Sequence, residues 1–389
     1  MAPTANPLAA HYSRFRVGER LLLTGHTHQA WPDVGFEAQQ RAWLDAAELL
    51  DLKWPRVAEQ ADRVRAGFAR LLGDDARNIA LGQNTHELVT RWLSALPFDR
   101  RPRILTTDGE FFTIRRQALR LAEAGLGVDT VASRPADGLA ERLAAAVDDR
   151  TAGVMVSSVL FDTSEMVPDL GTVAAACERH GAALLVDTYH HLNAAPFDLG
   201  ALGLQGAFVT GGGAKYCQLG EGNAFLRVPE GCRMRPVLTG WFAAPEPLGG
   251  VSGAVAYGDG VAAFAGATFD ATSHYRGAAV FAFHEAQGIT TDVLRRTSRR
   301  QVGLLKAAVE ALDVDPARAA VEPMPDERRA GFLAVRATDA QSLADRLAAR
   351  GVSANARGPM LRLGPAPYLR DDQLTEAAGI LGELLISSA

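Results

Sequence analysis

Two polar residues that follow apolar segments have the types and spacing for chemistry on an amine. Lys215 comes after the apolar segment 206–210 and a run of glycines, and Asp187 ends the earlier apolar segment 183–187. A lysine amine forms a Schiff base with an aldehyde, and a carboxylate keeps a pyridine nitrogen protonated so that the ring accepts electrons. Pyridoxal 5'-phosphate (PLP) needs both groups, and glycines let backbone pass close to a cofactor. The alternative is a surface lysine in a glycine-rich turn.

Composition and charge narrow the classes of function. The 389 residues are 48% hydrophobic and 22% charged, which is ordinary for a soluble globular protein. A net charge of -5 gives no basic footprint, so we expect no nucleic-acid partner. No apolar run has the length of a membrane span, and the N-terminus has no signal-peptide pattern, so we expect no membrane partner. Cysteines that are odd in number and lack metal spacing favour a cytoplasmic location.

The order of apolar and amphipathic segments predicts an α/β fold. Apolar strands alternate with amphipathic helices between residues 78 and 210, which is typical of a mostly parallel sheet with helices on both faces. The segment 223–228 follows a strand so closely that it favours an antiparallel neighbour. From about residue 290 the pattern changes to a small α+β domain. We therefore expect an N-terminal arm (1–35) that contributes to the small domain and the active site, a large domain (36–285) and a small domain (286–389).

Short patterns along nearly the whole chain resemble fold type I PLP-dependent enzymes of the class V aminotransferase group, and most of all kynureninase. They are Thr24-Gly25-His26-Thr27, Gln83-Asn84-Thr85-His86-Glu87-Leu88, Glu110-Phe111-Phe112-Thr113, Asp187-Thr188-Tyr189-His190, Lys215-Tyr216 with Gly220-Glu221-Gly222, Gly240-Trp241-Phe242 and Leu361-Arg362-Leu363-Gly364. No single pattern is specific, but their common order is. The resemblance implies the transferase-like fold, PLP as the cofactor, a small-molecule amino acid as the substrate, and a homodimer with shared active sites.

The resemblance also assigns residues to the cofactor. Asn84, Thr85 and His86 would bring the N-terminus of a helix to the phosphate, where amide groups and the helix dipole favour an anion; the alternative is a plain helix cap. Phe112 would stack on the pyridine ring, with Phe111 as the competing candidate. His190 would orient Asp187 or the ring oxygen. Trp241 and Thr268 would reach the cofactor bound by the neighbouring subunit.

The substrate is expected to meet a third group of residues. Arg362 would bind the α-carboxylate, because a planar guanidinium matches a carboxylate with two hydrogen bonds; a surface ion pair is the alternative. Thr27 and His28 would line the same site. Asp187, His190 and Lys215 would be the catalytic residues. The substrate would form an external aldimine, and Lys215 would then remove the α-proton to give a carbanion.

The fate of that carbanion is left open by the sequence. Hydrolytic or lyase-type side-chain cleavage, as in kynureninase, is favoured by the resemblance, and transamination is the alternative. The chain departs from kynureninase at Ala214, where a tyrosine is expected, at Arg115, where an acid is expected, and at 270–274, where Asn-Pro-Pro is absent. We therefore expect a divergent substrate pocket. A cysteine desulfurase fits poorly because no cysteine follows Cys232.

Two hypotheses of other classes have less support in the sequence. A PLP-fold protein that only binds a ligand is disfavoured by the intact Asp187, Lys215 and Arg362. A metal hydrolase would use the histidine pairs 26/28 and 190/191, but neither pair is joined by an acid or cysteine cluster that would complete a zinc site. We therefore expect no metal.

Overall fold

The structure, a computed structural model, describes residues 6–245 and 253–386. Expectations that concern 1–5, 387–389, or the part 246–252 of the loop 240–268, lie outside the described residues. Within the described residues, no helix combines the length and the apolar character needed to cross a membrane.

The first part of the chain contains the arm and the large sheet. Its elements are β1 (Leu21–Leu22), α1 (Val34–Leu49), α2 (Trp54–Leu72), β2 (Ile79–Gly82), α3 (Thr85–Ser94), β3 (Arg103–Thr107), α4 (Phe112–Glu123), β4 (Gly127–Val131), α5 (Leu139–Ala146), β5 (Thr151–Ser157), α6 (Leu170–His180), β6 (Ala183–Asp187), β7 (Phe208–Gly212) and β8 (Ala224–Arg227).

The second part contains two long helices and the small sheet. Its elements are α7 (Thr272–Ala286), α8 (Thr291–Glu310), β9 (Ala319–Val321), β10 (Leu333–Ala337), α9 (Ala340–Ala349), β11 (Val352–Ser353), β12 (Asn355–Arg357), β13 (Met360–Leu363) and α10 (Asp371–Ile386).

The large sheet has the order β2-β8-β7-β6-β5-β3-β4. Strands β3 to β7 pair in parallel, whereas β8 is antiparallel to both of its neighbours, β7 and β2, as expected for 223–228. Strand β2 therefore points the same way as the parallel strands. The carboxyl ends of β2, β6 and β7 consequently lie along one edge of the sheet, which is where open α/β sheets bind ligands.

Helices cover both faces of this sheet because the central strands are apolar on both sides. All of β5 is buried, as expected of a strand with no solvent-facing side. One apolar core includes Phe68 of α2 with Leu139 and Val173 of α5 and α6. A second core on the sheet contains Trp92 of α3. The rigid sheet thereby fixes the loops at its carboxyl edge.

The small domain is an antiparallel sheet of order β12-β13-β10-β9 packed against helices. The N-terminal arm joins it: β1 pairs in parallel with β11, and Tyr12 and Leu23 share its core. Beyond β1 the arm runs beside the end of β13, since the amide of Gly25 donates to the carbonyl of Gly364 at 2.8 Å. The sheet thus brings 24–28 next to Arg362. The domain limits at 35 and 285 stay predictions.

Candidate active site

Asp187 and Lys215 come from neighbouring parallel strands. Asp187 is the last residue of β6, and it pairs in register with Thr210 of β7, whose extension carries Lys215. The Lys215 amine lies 2.8 Å from Nε2 of His190, a side chain in the loop after β6. The amine also lies 4.6 Å from the centroid of the Tyr189 ring. The loops after the two strands therefore converge on one amine.

The surroundings of this pair favour uncharged forms. Burial lowers the pKa of Lys215 to about 7, opposed by the negative charge of Asp187. Burial raises the pKa of the Asp187 carboxyl, opposed by the Tyr189 amide and by Lys215. Burial and the nearby Lys215 and Arg362 cations also lower the pKa of His190 well below its ordinary value. A neutral imidazole therefore contacts an amine that is partly neutral near pH 7.

The glycines before Lys215 are required by the protein's own packing. A Cβ on Gly212 would lie 2.7 Å from the Tyr189 ring, and a Cβ on Gly213 would lie 2.5 Å from Leu219. The glycines therefore leave room for the side chains of Tyr189 and Leu219. From the sequence, we expected them to leave room for a cofactor. The packing of Tyr189 on Gly212 in turn fixes the loop that carries His190.

Two polar groups at the carboxyl edge of the sheet are suited to binding PLP. One carboxylate oxygen of Asp187 accepts from the Tyr189 amide at 2.8 Å, and the other has no partner among the described residues. A protonated pyridine nitrogen could donate to that oxygen. The Thr85 hydroxyl, in the first turn of α3, is likewise without a partner in the described part of the chain, and the first-turn amides of a helix attract phosphate.

Asn84 and His86 have contacts of their own. The Asn84 side chain caps α3 by accepting from the amide of Glu87 at 2.9 Å, so the plain helix cap weighed from the sequence is present. The exposed His86 has its Nδ1 2.8 Å from Nε2 of Gln117 on α4. These contacts orient α3 against α4. A direct role of Asn84 or His86 at the phosphate stays a prediction.

Aromatic side chains form one wall of the site. The Phe111 ring centroid lies 5.7 Å from the Lys215 amine, whereas Phe112 lies beside Arg357, whose guanidinium carbon is 5.9 Å from the ring centroid. Both rings pack on Phe161 and are partly exposed, at 36% and 52%. Of the two phenylalanines, it is therefore Phe111, the alternative to Phe112, that lies near the Lys215 amine. Phe161 comes from the loop after β5 and was not identified from the sequence.

Arg362 lies in β13 on the small sheet and reaches the large domain. Its Nε donates to Oδ1 of Asn355 at 3.0 Å, and Nη1 donates to the carbonyl of Phe161 at 2.7 Å. Burial and the nearby Arg357 lower its pKa to about 10. In the described residues no acidic side chain forms an ion pair with it, so the surface ion pair weighed from the sequence is absent. Its Nη2 has no hydrogen-bond partner among the described residues, and its role toward a substrate stays a prediction.

The arm residues separate into one buried histidine and two neighbours with local contacts. His26 is fully buried, with Nε2 3.0 Å from Oδ1 of Asn355, so it supports the same amide that holds Arg362. The Thr27 hydroxyl donates to the Thr24 carbonyl at 2.8 Å. His28 is exposed, and its Nδ1 lies 3.0 Å from a carboxylate oxygen of Glu221. Substrate contact by Thr27 and His28 stays a prediction.

Trp241 and Thr268 share one cavity of their own chain. They line a cavity of about 1000 Å³ between α2, β2 and the loop that precedes α7, and Lys215 and Asp187 are not among its lining residues. Trp241 stacks on Phe242 with ring centroids 4.0 Å apart. Their contact with a cofactor bound by the neighbouring subunit stays a prediction.

Glu110 is a buried acid to which the sequence assigned no role, although it begins the pattern 110–113. It accepts from the hydroxyls of Thr107 and Ser157, each at 2.6 Å, and from the Ser157 amide at 3.1 Å. Burial raises its pKa to about 7, and the charge of Asp187 acts in the same direction. In the sequence, Glu110 is visible as an acid three residues after the end of β3 and directly before two phenylalanines. The arrangement ties the ends of β3 and β5 to the site.

Metal binding has little support in the described ranges. No three histidine, cysteine or acidic side chains within 6–245 and 253–386 are placed to hold an ion. The histidines of each pair make different contacts. His26 lies against Asn355 and His28 against Glu221. His190 lies against Lys215 and His191 against Ser158.

Sequence comparisons identify the proteins that this chain resembles. Residues 294–381 match the family model of the kynureninase C-terminal domain. Kynureninase of Deinococcus radiodurans is 28% identical over 255 residues, which are 62% of this chain and 60% of that protein. The uncharacterised aminotransferase YcbU of Bacillus subtilis is 23% identical over 332 residues, covering 83% of this chain and 84% of that protein. The aligned region thus spans less than two thirds of the kynureninase.

Solved structures share the fold at low sequence identity. A mutant of C-DES with glycine covalently linked to its PLP cofactor superposes with a TM-score of 0.84 at 17% identity, covering 97% of this chain and 99% of that one. The apo cysteine desulfurase of Thermococcus onnurineus has a TM-score of 0.81 at 15% identity, with complete coverage of both chains. The predicted fold class and the predicted resemblance to class V PLP enzymes, kynureninase among them, are confirmed.

Proposed function

We propose that this kynureninase-like chain is a PLP-dependent enzyme that acts on an α-amino acid at Lys215. The relatives support a PLP-dependent enzyme with PLP as its cofactor. The residues that do the work and the reaction itself are our proposal. The observation that carries it is the Lys215 amine, whose pKa burial lowers to about 7 beside the acid at the end of β6.

Three parts of the chain would hold the cofactor. Lys215 would bind it covalently, the free oxygen of Asp187 would accept from its ring nitrogen, and the N-terminus of α3 with Thr85 would meet its phosphate. Phe111 would pack on the ring, since it lies nearer to the Lys215 amine than its alternative Phe112, which lies beside Arg357. When bound, PLP withdraws electrons from the bonds of the substrate α-carbon.

Lys215 would move the proton, and His190 would hold its amine in place. An amine with a pKa near 7 is neutral often enough to accept a proton at its Nζ from the substrate α-carbon, and it can return that proton at the same pH. His190 is held neutral by burial and by the neighbouring cations, and its Nε2 is within hydrogen-bond distance of that Nζ. We infer that His190 positions the lysine amine between proton transfers.

Arg362 would orient the substrate. Asn355 and the Phe161 carbonyl fix the guanidinium from two sides, so it loses little freedom when a carboxylate binds. His26 holds Asn355 in turn. Because β13 belongs to the small domain and Lys215 to the large one, the substrate would be held between the two domains.

Side-chain cleavage of the kynureninase kind is the reaction best supported. The C-terminal domain, which supplies Arg362, is the part that matches the kynureninase family model. Transamination is the second candidate, because the aminotransferase relative matches over 83% of this chain. Sulfur transfer by a cysteine has less support: the chain's cysteines are Cys177, Cys217 and Cys232, and burial raises the pKa of each thiol.

The structure supports a second copy as the partner. Side chains on α1 and the turn after it are unusually exposed for their types, with Trp43 at 76% and Leu50 and Leu52 at 72% each. Large exposed apolar side chains mark interaction surfaces. Trp241 and Thr268 line a cavity whose lining residues do not include Lys215. We therefore propose a homodimer in which the loop that carries them completes the neighbouring site.

A labelling experiment tests the cofactor, and a substrate panel tests the reaction. Protein loaded with PLP and reduced with borohydride should carry one cofactor on the peptide that contains Lys215. Each amino acid of a panel is then incubated with the loaded enzyme and its product identified by mass. Label on Lys53 or Lys306 instead would refute the site. PLP on Lys215 without any product would favour the binding protein over the enzyme.

A further inference from the structure

The site has one more guanidinium than an α-carboxylate needs. Arg357 lies near Lys215 and Arg362, since its positive charge lowers the pKa of both groups. Neither arginine forms an ion pair with an acidic side chain of the described residues. Arg357 donates from Nη1 to the adjacent Ala356 carbonyl at 2.9 Å, while its Nε is buried without any partner. A buried donor without an acceptor is costly unless a ligand completes it.

Strand pairing places the two arginines on the same face of the small sheet. Asn355 of β12 is opposite Arg362 of β13, and Arg357 is opposite Met360. Side chains alternate along a strand, so Asn355, Arg357 and Arg362 share a face. Arg357 and Arg362 are then diagonal neighbours, with Cβ atoms roughly 7 Å apart. That separation suits two different acidic groups of one small molecule.

An aromatic wall connects Lys215 with Arg357. Phe111 lies 5.7 Å from the lysine amine, the Phe111 and Phe112 ring centroids are 5.6 Å apart, and Phe112 lies 5.9 Å from the Arg357 guanidinium carbon. Both rings are partly exposed, so the wall borders open space. A substrate held at Lys215 and Arg362 can extend its side chain along this wall to Arg357.

We propose that Arg357 binds an anionic group at the end of the substrate side chain, so that the substrate class is the acidic α-amino acids. The proposal rests on the proposed function, in which Arg362 takes the α-carboxylate. The Arg357 fork then matches a second carboxylate with paired hydrogen bonds. The two positive charges facing the site are balanced when both carboxylates bind.

Two other uses of Arg357 predict different behaviour. If Arg357 and Arg362 shared one α-carboxylate, loss of Arg357 would weaken all α-amino acids equally. If Arg357 served only to pack on Phe112, its loss would leave ligand preference unchanged, because a partly exposed cation–π contact contributes little. Ligands that differ only in side-chain charge separate these cases.

The test compares L-glutamate and L-aspartate with their uncharged amides, L-glutamine and L-asparagine. Dissociation constants are measured by titrating the PLP-loaded enzyme, followed by cofactor absorbance and by calorimetry. The wild type should bind each acid at least about tenfold tighter than its amide. Arg357→Gln should remove this preference by weakening the acids, with the amides changed less than about threefold. Arg357→Lys should keep part of the preference, since it keeps the charge.

The control is Arg350→Gln, which removes an equal charge from an exposed residue of the same domain that pairs with Glu383. It should leave every constant unchanged. Equal weakening of acids and amides in Arg357→Gln, or a preference that persists in a variant with unchanged circular dichroism, would overturn the assignment. Failure of the wild type to take up PLP on Lys215 would instead remove the proposed function and this inference with it. Normal uptake without preference for acids would remove the inference alone.

Discussion

The Asp187 carboxylate counteracts the effect of burial on the pKa of the Lys215 amine. Burial lowers the pKa of the Lys215 amine, and the Asp187 carboxylate raises it, with a result of about 7. The strand register fixes this relationship, because Asp187 ends β6 beside the strand whose extension carries Lys215. Neutralising the acid should therefore act on the lysine as well as on the cofactor.

The pH dependence of cofactor capture should report the Lys215 pKa. Only the unprotonated amine attacks an aldehyde, so the rate of PLP attachment to cofactor-free enzyme should rise with pH up to about pH 7 and then level off. An ordinary lysine would keep gaining reactivity up to about pH 10.4. Stopped-flow absorbance measures the rate. A rate that climbs steadily to pH 10 would mean that the amine is not desolvated.

Asp187→Asn should retain PLP but lose most turnover. An amide cannot hold the ring nitrogen protonated as a carboxylate does. We therefore expect transition-state stabilisation to fall by several kcal/mol, and each loss of about 1.4 kcal/mol lowers the rate about tenfold. The same variant removes the charge that raises the Lys215 pKa, so the midpoint of the capture profile should move below its wild-type value. Turnover and midpoint are measured on one preparation. An unchanged midpoint together with near-normal turnover would refute both roles.

The strands and the two central residues could be predicted because they depend on local sequence. Apolar runs such as 183–187 define buried strands, and a polar residue at the strand end marks the ligand edge. Helix α7 was not identified, because it is buried nearly all round, with His274, Arg276 and His284 inside. A helix is recognised in a sequence by apolar and polar residues that alternate with the helical period. Helix α7 has no polar face, so this signal is absent.

The other walls of the site depend on tertiary packing. Phe161 lies in a loop, and Asn355 comes from the small domain. Arg362 joins them to the site by donating to both. Nothing in their local sequence distinguishes them from core residues. Glu110 differs, since an acid shortly after a strand and before two phenylalanines is visible in the sequence. Its burial and its three hydrogen-bond donors are not.

Glu110→Gln should flatten the pH dependence of stability on the acidic side. Burial raises the pKa of Glu110 to about 7, above the ordinary carboxyl value, so the folded protein keeps a proton that the unfolded chain has lost. The stability that this gives is complete below about pH 4.5 and is lost as the pH rises through 7, with a total on the order of 3 kcal/mol. The glutamine variant cannot titrate and should lack that decline.

Denaturant unfolding of cofactor-free protein at pH 5, 6, 7 and 8 measures this effect. The control is Glu123→Gln, an exposed acid at the end of the adjacent α4, which should follow the wild-type curve. Parallel curves for wild type and Glu110→Gln would show that Glu110 is ionised throughout, held by the donors from Thr107 and Ser157.

Sites shared between subunits should be revealed by complementation. A Lys215→Ala chain and a chain with Trp241→Ala and Thr268→Val should each be inactive, the first without the amine and the second without the loop that reaches the other site. Equal mixing makes half of the dimers hybrids, and each hybrid has one complete site, so activity should return to about a quarter of wild type. The control mixes Lys215→Ala with Asp187→Asn. Both residues belong to one chain's site, so no hybrid site is complete and no activity should return. Recovery in the control, or a fully active monomer by light scattering, would exclude the shared site.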